Sequence, residues 1–346
     1  MPRLACLPQT RARPRVAAGG TRVHQPGTAG GDPLDGYVNG KQSPRVSENK
    51  TPEDLVAGLV RLLTVTREGE NSFTAPQQPG GVGRVFGGQV IAQALQAAQA
   101  TAPAGLEAHS LHAYFLRGGK EGVDIAYATA RDFDGRSFAN RRVVAAQEGQ
   151  PILNLTASFQ RPEDGLSHDD TAMPDTPPPE DLEPDMAQRR ALVERLGERM
   201  SDDQRALVLR PRPIDMRTSD KLHWMNSEPR APRAHSWFRT VAALPDDPAL
   251  HRAVIAYASD YTLLGTSALP HGLSWMRGEL VGASLDHAIW FHRPARADEW
   301  LLYATDAPWS GGGRGFNRGR IFNRAGQLVA SVAQEGMMRK RVKKAD

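Results

Sequence analysis

Two periodicities divide this chain: stretches whose apolar residues recur every three or four positions, and stretches where apolar and polar residues alternate. Leu55, Leu59, Leu62 and Leu63 share one helical face. Just ahead, Thr51-Pro52-Glu53-Asp54 supplies an N-cap, a first-turn proline and two acids for the positive helix end, so ordered structure is expected to start near Thr51. Over 88–100, Val90, Ile91, Ala94, Leu95, Ala97 and Ala98 make a broad stripe of mostly small apolar residues, which predicts a largely buried helix lying close on a sheet. A second such helix is predicted over 250–269, through Val254, Ile255, Ala258, Leu263 and Leu264, with Pro270 as its stop. After each helix come β-prone runs, with turn signals at Asp134-Gly135, Glu148-Gly149, Gly311-Gly312-Gly313 and Ala325-Gly326, the spacing of an antiparallel meander.

The two halves repeat. Residues 111–117, 125–128 and 149–152 have counterparts at 287–293, 301–304 and 326–329, and Phe138 has one in Phe316, at an offset of 176 to 178 residues. One helix and about five antiparallel strands, twice over, is an α+β architecture in which a curved sheet wraps a central helix. Between the halves, residues 162–184 hold a Pro-Pro-Pro run and many acids but almost no large apolar residues, which reads as an extended linker or surface excursion. A short helix over 186–200 and proline-broken chain to about 213 should follow. The expected organisation is a tail over 1–50, a first repeat over 51–165, a Pro-rich acidic linker over 166–212, a second repeat over 213–340 and a basic tail over 341–346.

Composition narrows the class. The 346 residues are 40% hydrophobic and 24% charged, enough for two modest domains with real cores. The single cysteine, Cys6, rules out structural disulfides and Cys-rich zinc sites and suits a reducing cytosol. No apolar run approaches the length that spans a bilayer and no signal-peptide core is visible, so a cytoplasmic protein without a membrane partner is expected. The formal charge is only +4, and the basic residues gather at the ends, among them Arg11 and Arg13 and then Arg339, Lys340 and Arg341. These read as solvated tails, and no nucleic-acid partner is expected.

Several familiar chemistries are missing. Ser284 sits in Gly282-Ala283-Ser284-Leu285-Asp286, which lacks the second glycine of a nucleophile elbow. The glycine-rich loop from Gly80 to Gly88 precedes a helix, and its amides could receive a phosphate or a carbonyl oxygen. It matches neither the dinucleotide fingerprint nor a P-loop. His109 with His112, and His287 with His292, lie on predicted strands at spacings that offer no metal set, so neither metal nor cofactor is expected. Asp260 stands out, because it follows the apolar run Val254-Ile255-Ala256-Tyr257-Ala258, where a carboxylate is costly unless it is hydrogen-bonded or functional. An N-cap or a bend in that helix is the plainer account of it. Gln334 is likewise a polar amide in an apolar final strand. Taken singly, such groups are more often satisfied core polar residues; with Ser284, the three come from one half and could converge at one end of its helix.

Six ordered segments then carry a resemblance: Arg84-Val85-Phe86-Gly87-Gly88-Gln89-Val90, residues 109–117, Thr156-Ala157-Ser158-Phe159-Gln160, Tyr257-Ala258-Ser259-Asp260, residues 286–294 and Gln334-Glu335-Gly336. Over about 51–339 the chain resembles the acyl-CoA thioesterase II family. That resemblance implies a double hotdog fold and the hydrolysis of fatty acyl-CoA to free acid and CoA. The family's water-holding aspartate, serine or threonine, and glutamine fall on Asp260, Ser284 and Gln334. On that reading Asp260 is the base, and the amides at Gly87 and Gly88 are candidate donors to the substrate's oxygen. Arg117, Arg293 and Arg314 are candidate partners for the CoA phosphates. Two alternatives stay open: a hotdog enoyl-thioester hydratase, whose Asp/His pair is not found near Asp260, and a non-catalytic acyl-CoA-binding protein. Exposed sheet edges also leave a homo-oligomer open.

Overall fold

The computed structural model describes residues 50–78, 83–219, 228–273 and 278–341. The expected N-terminal tail with Cys6, nearly all of the basic C-terminal tail, and Gly80 and Gly81 lie outside them. Helix α1 (Pro52–Leu63) opens on a capping box in which the Thr51 hydroxyl accepts from the Asp54 amide and the Asp54 carboxylate accepts from the Thr51 amide. Strands β1 (Thr66–Arg67) and β2 (Ser72–Ala75) follow, then helix α2 (Gly87–Gln99) and strands β3 (Glu107–Phe115), β4 (Ile125–Asp134), β5 (Phe138–Gln147) and β6 (Gln150–Gln160). The second half repeats this order with β7 (Ile214–Thr218), β8 (Arg233–Thr240), α5 (Pro248–Ser259), β9 (Leu280–Ser284), β10 (Asp286–Phe291), β11 (Leu301–Gly311), β12 (Arg314–Asn323) and β13 (Leu328–Lys340).

All the strands join one antiparallel sheet, in the order β1-β2-β4-β5-β6-β3-β10-β13-β12-β11-β8-β7, with β9 pairing β13 off this path. With repeat counterparts equated, the order reads the same from either edge. Its centre is the β3–β10 seam, where His112 faces Ala288, its own counterpart in the repeat. The predicted turns fall where the glycines demand. Glu148 and Gly149 both take positive φ (50° and 76°), as do Gly312 and Gly313 (56° and 76°), the geometry of a two-residue hairpin turn whose twist matches its strands.

The two long helices lie antiparallel on each other inside the sheet. The Gln99 side-chain amide at the end of α2 donates to the Ala249 carbonyl at the start of α5 (3.3 Å), while the other ends meet at Gly88 and Tyr257. One apolar core runs through both halves: Ile91, Leu95, Leu111 and Phe159 belong to the same cluster as Val254, Ile255, Ile289 and Tyr303. No helix among the described residues is long and apolar enough to cross a membrane.

Two expectations need correction. The helix expected over 250–269 breaks at Ser259. Asp260 takes the C-cap position (φ −88°, ψ −2°), and a separate turn of helix, α6 (Leu263–Thr266), and a 3₁₀ turn over Leu269–His271 follow. The buried Tyr303 hydroxyl donates to the Ser259 carbonyl (3.0 Å) and so satisfies a helix-end acceptor from outside the helix. Tyr303 has room to do this because Gly319 lies beneath it, where a Cβ would come within 2.2 Å of the ring. The helix expected over 186–200 is α3 (Asp185–Leu196), stopped by Gly197 at φ 52°, and an unforeseen α4 (Asp202–Val208) follows on a Ser201/Gln204 capping box. The linker before them is extended and stitched to the second half. Trp237 donates to the Pro177 carbonyl (2.9 Å), Arg217 to the Pro179 carbonyl (2.8 Å), and Arg324 pairs with Glu180 through both nitrogens.

Candidate active site

The break after α5 fixes the first member of the site. Asp260 leaves the helix with its side chain buried, only 6% exposed, between the end of α5 and the start of α2. Two glycines make that approach possible. A Cβ on Gly87 would stand 2.6 Å from Asp260 Oδ2, and one on Gly88 would stand 2.5 Å from the Tyr257 carbonyl oxygen. The Gly88 amide and the Ser284 hydroxyl both lie close enough to the Asp260 carboxylate to favour its charged form.

Ser284 ends β9, opposite Gly336 of β13 in the sheet register. Two residues before Gly336, Gln334 is fully buried and turns into the sheet's concave side, and its Nε2 donates to Asp260 Oδ1 (2.7 Å) and contacts Ser284 Oγ (2.9 Å). The three side chains singled out in the sequence therefore meet within hydrogen-bonding distance. Burial is the largest influence on Asp260 and lifts its pKa to about 6, while the hydrogen bonds from Gln334, Gly88 and Ser284 hold it down.

A fourth group joins them. His287 on β10 is fully buried, its Nδ1 lying 3.2 Å from Gln334 Nε2 and 3.9 Å from Asp260 Oδ1. The absence of a His/Asp pair expected from the sequence is thus corrected, though this histidine lies on a strand after the helix. Burial holds its pKa down at about 3, so the ring is neutral. Its tautomer follows from the far side. The Ser259 hydroxyl donates to the Ala256 carbonyl (2.9 Å), which leaves its oxygen to accept from His287 Nε2–H (2.9 Å), so Nδ1 carries the lone pair that faces the Gln334 amide. The same constraint turns Gln334 Oε1 the other way, where it is buried without a hydrogen-bond partner among the described residues. The hydroxyl of Ser259, just before Asp260, ties this ring to the helix end.

The arginines expected near the substrate each have protein partners. Arg293 bonds to Asp169 (3.1 Å) and to the Leu328 carbonyl (2.7 Å), and Leu328 lies six residues, about 20 Å, from Gln334 along β13. Arg314 pairs with Glu335 (3.0 Å), whose side chain alternates to the opposite face of β13 from Gln334. Arg117 donates to the Pro151 carbonyl (2.9 Å). In the first half, the sheet register and helix ends put Ala108, Ala157 and Ala100 at the counterparts of Ser284, Gln334 and Asp260. Only one half carries the polar groups.

A helix-wrapping sheet repeated within one chain, with a buried carboxylate, hydroxyl and amide at the helix crossing, is the architecture of a double hotdog protein. A protein of hotdog fold from Alicyclobacillus acidocaldarius superposes with a TM-score of 0.64 over 82% of this chain and 99% of that one, at 18% identity. Residues 213–337 match the family model described as acyl-CoA thioesterase, and 75–160 match that of the acyl-CoA thioesterase N-terminal domain. Acyl-CoA thioesterase 2 of Haemophilus influenzae is 35% identical over 83% of this chain and 98% of its own length. The crystal structure of an acyl-CoA thioesterase II from Mycobacterium marinum is 38% identical, with a TM-score of 0.66 over 81% of this chain and 98% of that one. The chain belongs to the acyl-CoA thioesterase II family.

Proposed function

We propose that this protein hydrolyses acyl-CoA thioesters to free acid and CoA at Asp260, Ser284 and Gln334. The observation that carries the assignment is the meeting of those side chains around one buried carboxylate with its pKa raised to about 6. Water attacks poorly unless a base takes its proton as the bond to carbon forms, and a carboxylate titrating near the working pH is suited to that task. Asp260 accepts the proton. Ser284 Oγ is left to orient the water, and Gln334 Nε2, in reach of both Asp260 Oδ1 and Ser284 Oγ, keeps the base and that hydroxyl in register, replacing a random encounter with an aligned one. The thioester oxygen gains charge as water adds. The amide of Gly87, first of α2 and beside Asp260 Oδ2, supports a donor role there, because the Gly88 amide already serves the carboxylate. Collapse of the tetrahedral adduct breaks the carbon–sulfur bond, and the departing thiolate recovers the proton from Asp260. A thiol of pKa near 8.5 leaves without a strong acid's help.

The experiment is thiol release from palmitoyl-CoA, read with a thiol-reactive dye. Asp260→Asn should lower kcat by about 10²-fold or more with the fold intact. Undiminished turnover by a pure, folded variant would remove Asp260 from the mechanism, and loss of enoyl absorbance without thiol release would point to hydration instead.

A further inference from the structure

The wall next to Asp260 carries charge for which the hydrolytic step has no use. The chain leaving α4 runs Arg210-Pro211-Arg212-Pro213 into β7, and its prolines keep that segment extended and so set both arginines facing the helix crossing. The Arg212 guanidinium lies 5.9 Å from the ring centre of Tyr261, the residue immediately after Asp260. Tyr261 stacks on Phe86 (5.0 Å, 24° between planes), the residue immediately before Gly87, and its hydroxyl donates to that of Tyr257 (3.2 Å). Arg212 is therefore one aromatic ring away from the groups that hold the carboxylate.

It does not stand alone. Arg189 of α3 and Arg210 both lie close enough to Arg212 to be repelled by it. Among the described residues, two of the acids nearby are already engaged. Asp185 accepts from buried Arg189 (2.8 Å), and Glu121, which faces Arg210, accepts from the Gly83 amide (3.0 Å). Arg212 makes neither a hydrogen bond nor an ion pair among the described residues, so its donors are directed at no acceptor among them. Three guanidiniums drawn together against an aromatic wall cost repulsion and desolvation, which an anion gripped by a planar fork of donors would relieve. The anionic groups of an acyl-CoA are phosphates at the far end of a long pantetheine arm, and guanidinium matches phosphate geometry.

We propose that Arg212, flanked by Arg189 and Arg210, forms the subsite for the phosphates of the coenzyme A half of the substrate, with the Phe86, Tyr257 and Tyr261 rings as the wall between it and Asp260. The inference rests on the thioesterase reading, and its test separates the two. Titration of the full chain with adenosine 3′,5′-bisphosphate, followed by calorimetry, needs no turnover; binding is expected in the unaltered protein, weakened about tenfold or more in Arg212→Gln. In steady state, the same nucleotide should compete with palmitoyl-CoA. Arg212→Gln should lower the preference for palmitoyl-CoA over palmitoyl-pantetheine, which has no phosphate, by about the same factor. Equal losses on both thioesters would mean a structural role for Arg212 and overturn the subsite, as would an effect confined to thioesters with a carboxylate at the far end of the acyl chain. If the variant does not fold, absence of nucleotide binding or competition in the unaltered protein overturns it equally. Nucleotide binding without thiol release from any thioester would leave the subsite standing and sink the hydrolytic reading.

Discussion

Asp260 illustrates how one buried carboxylate couples rate to stability. With Asp260 as the proposed base, activity needs its ionised form, so kcat should rise with pH through about 6. His287 stays neutral above about pH 3 and contributes no second limb between pH 4 and 8. The same shift acts on folding with the opposite sense. Between the ordinary carboxylate range and about pH 6 the folded protein holds a proton that the unfolded chain has lost, so this group's contribution to stability falls as pH rises through that window. A shift of about two units corresponds to roughly 3 kcal/mol. Asp260→Asn should therefore gain stability relative to the parent at pH 8 compared with pH 5, by about 1–3 kcal/mol in urea unfolding. A pH-independent difference would mean that the carboxylate is less buried than described. Asp260 and Gln334 were legible in the sequence because charge and amide interrupt apolar runs. His287 was not, since a histidine on an alternating strand shows neither which way it faces nor which helix end lies opposite.

Helix α2 enters the site through two glycines with different neighbours, and the difference separates two substitutions. A methyl group at Gly88 meets the Tyr257 backbone oxygen, which cannot swing away, so Gly88→Ala should destabilise the protein by about 1–3 kcal/mol despite alanine's better helix propensity. At Gly87 the methyl meets the Asp260 carboxylate and the Phe115 ring, both of which can shift. Gly87→Ala should keep most of the melting temperature and lose about tenfold or more in kcat by displacing the proposed base. Melting curves alongside thiol-release kinetics would distinguish the two. Periodicity located α2 to within a residue, yet ran α5 past its true end, because Leu263 and Leu264 continue the apolar pattern after the backbone has turned. What stops α5 is Tyr303, a residue 44 positions from the carbonyl that it captures, and no local pattern reports it.

Across the whole chain, the repeat was the feature most plainly written in the sequence, since a steady offset survives even where individual strand ends blur. The joining of the two halves was harder to see: the β3–β10 seam and the crossing of α2 over α5 depend on pairings between distant segments. The shared core makes a prediction. All six tryptophans lie at position 224 or later, so their fluorescence reports the second half alone, whereas circular dichroism reports both. If the halves share one core, the two unfolding curves should superimpose; separate transitions would show two independently folding units. The three alanines in the first half bear on stoichiometry. A non-hydrolysable analogue should saturate at one equivalent per polypeptide rather than two, leaving the duplicated copy as the anvil against which a single working half is held.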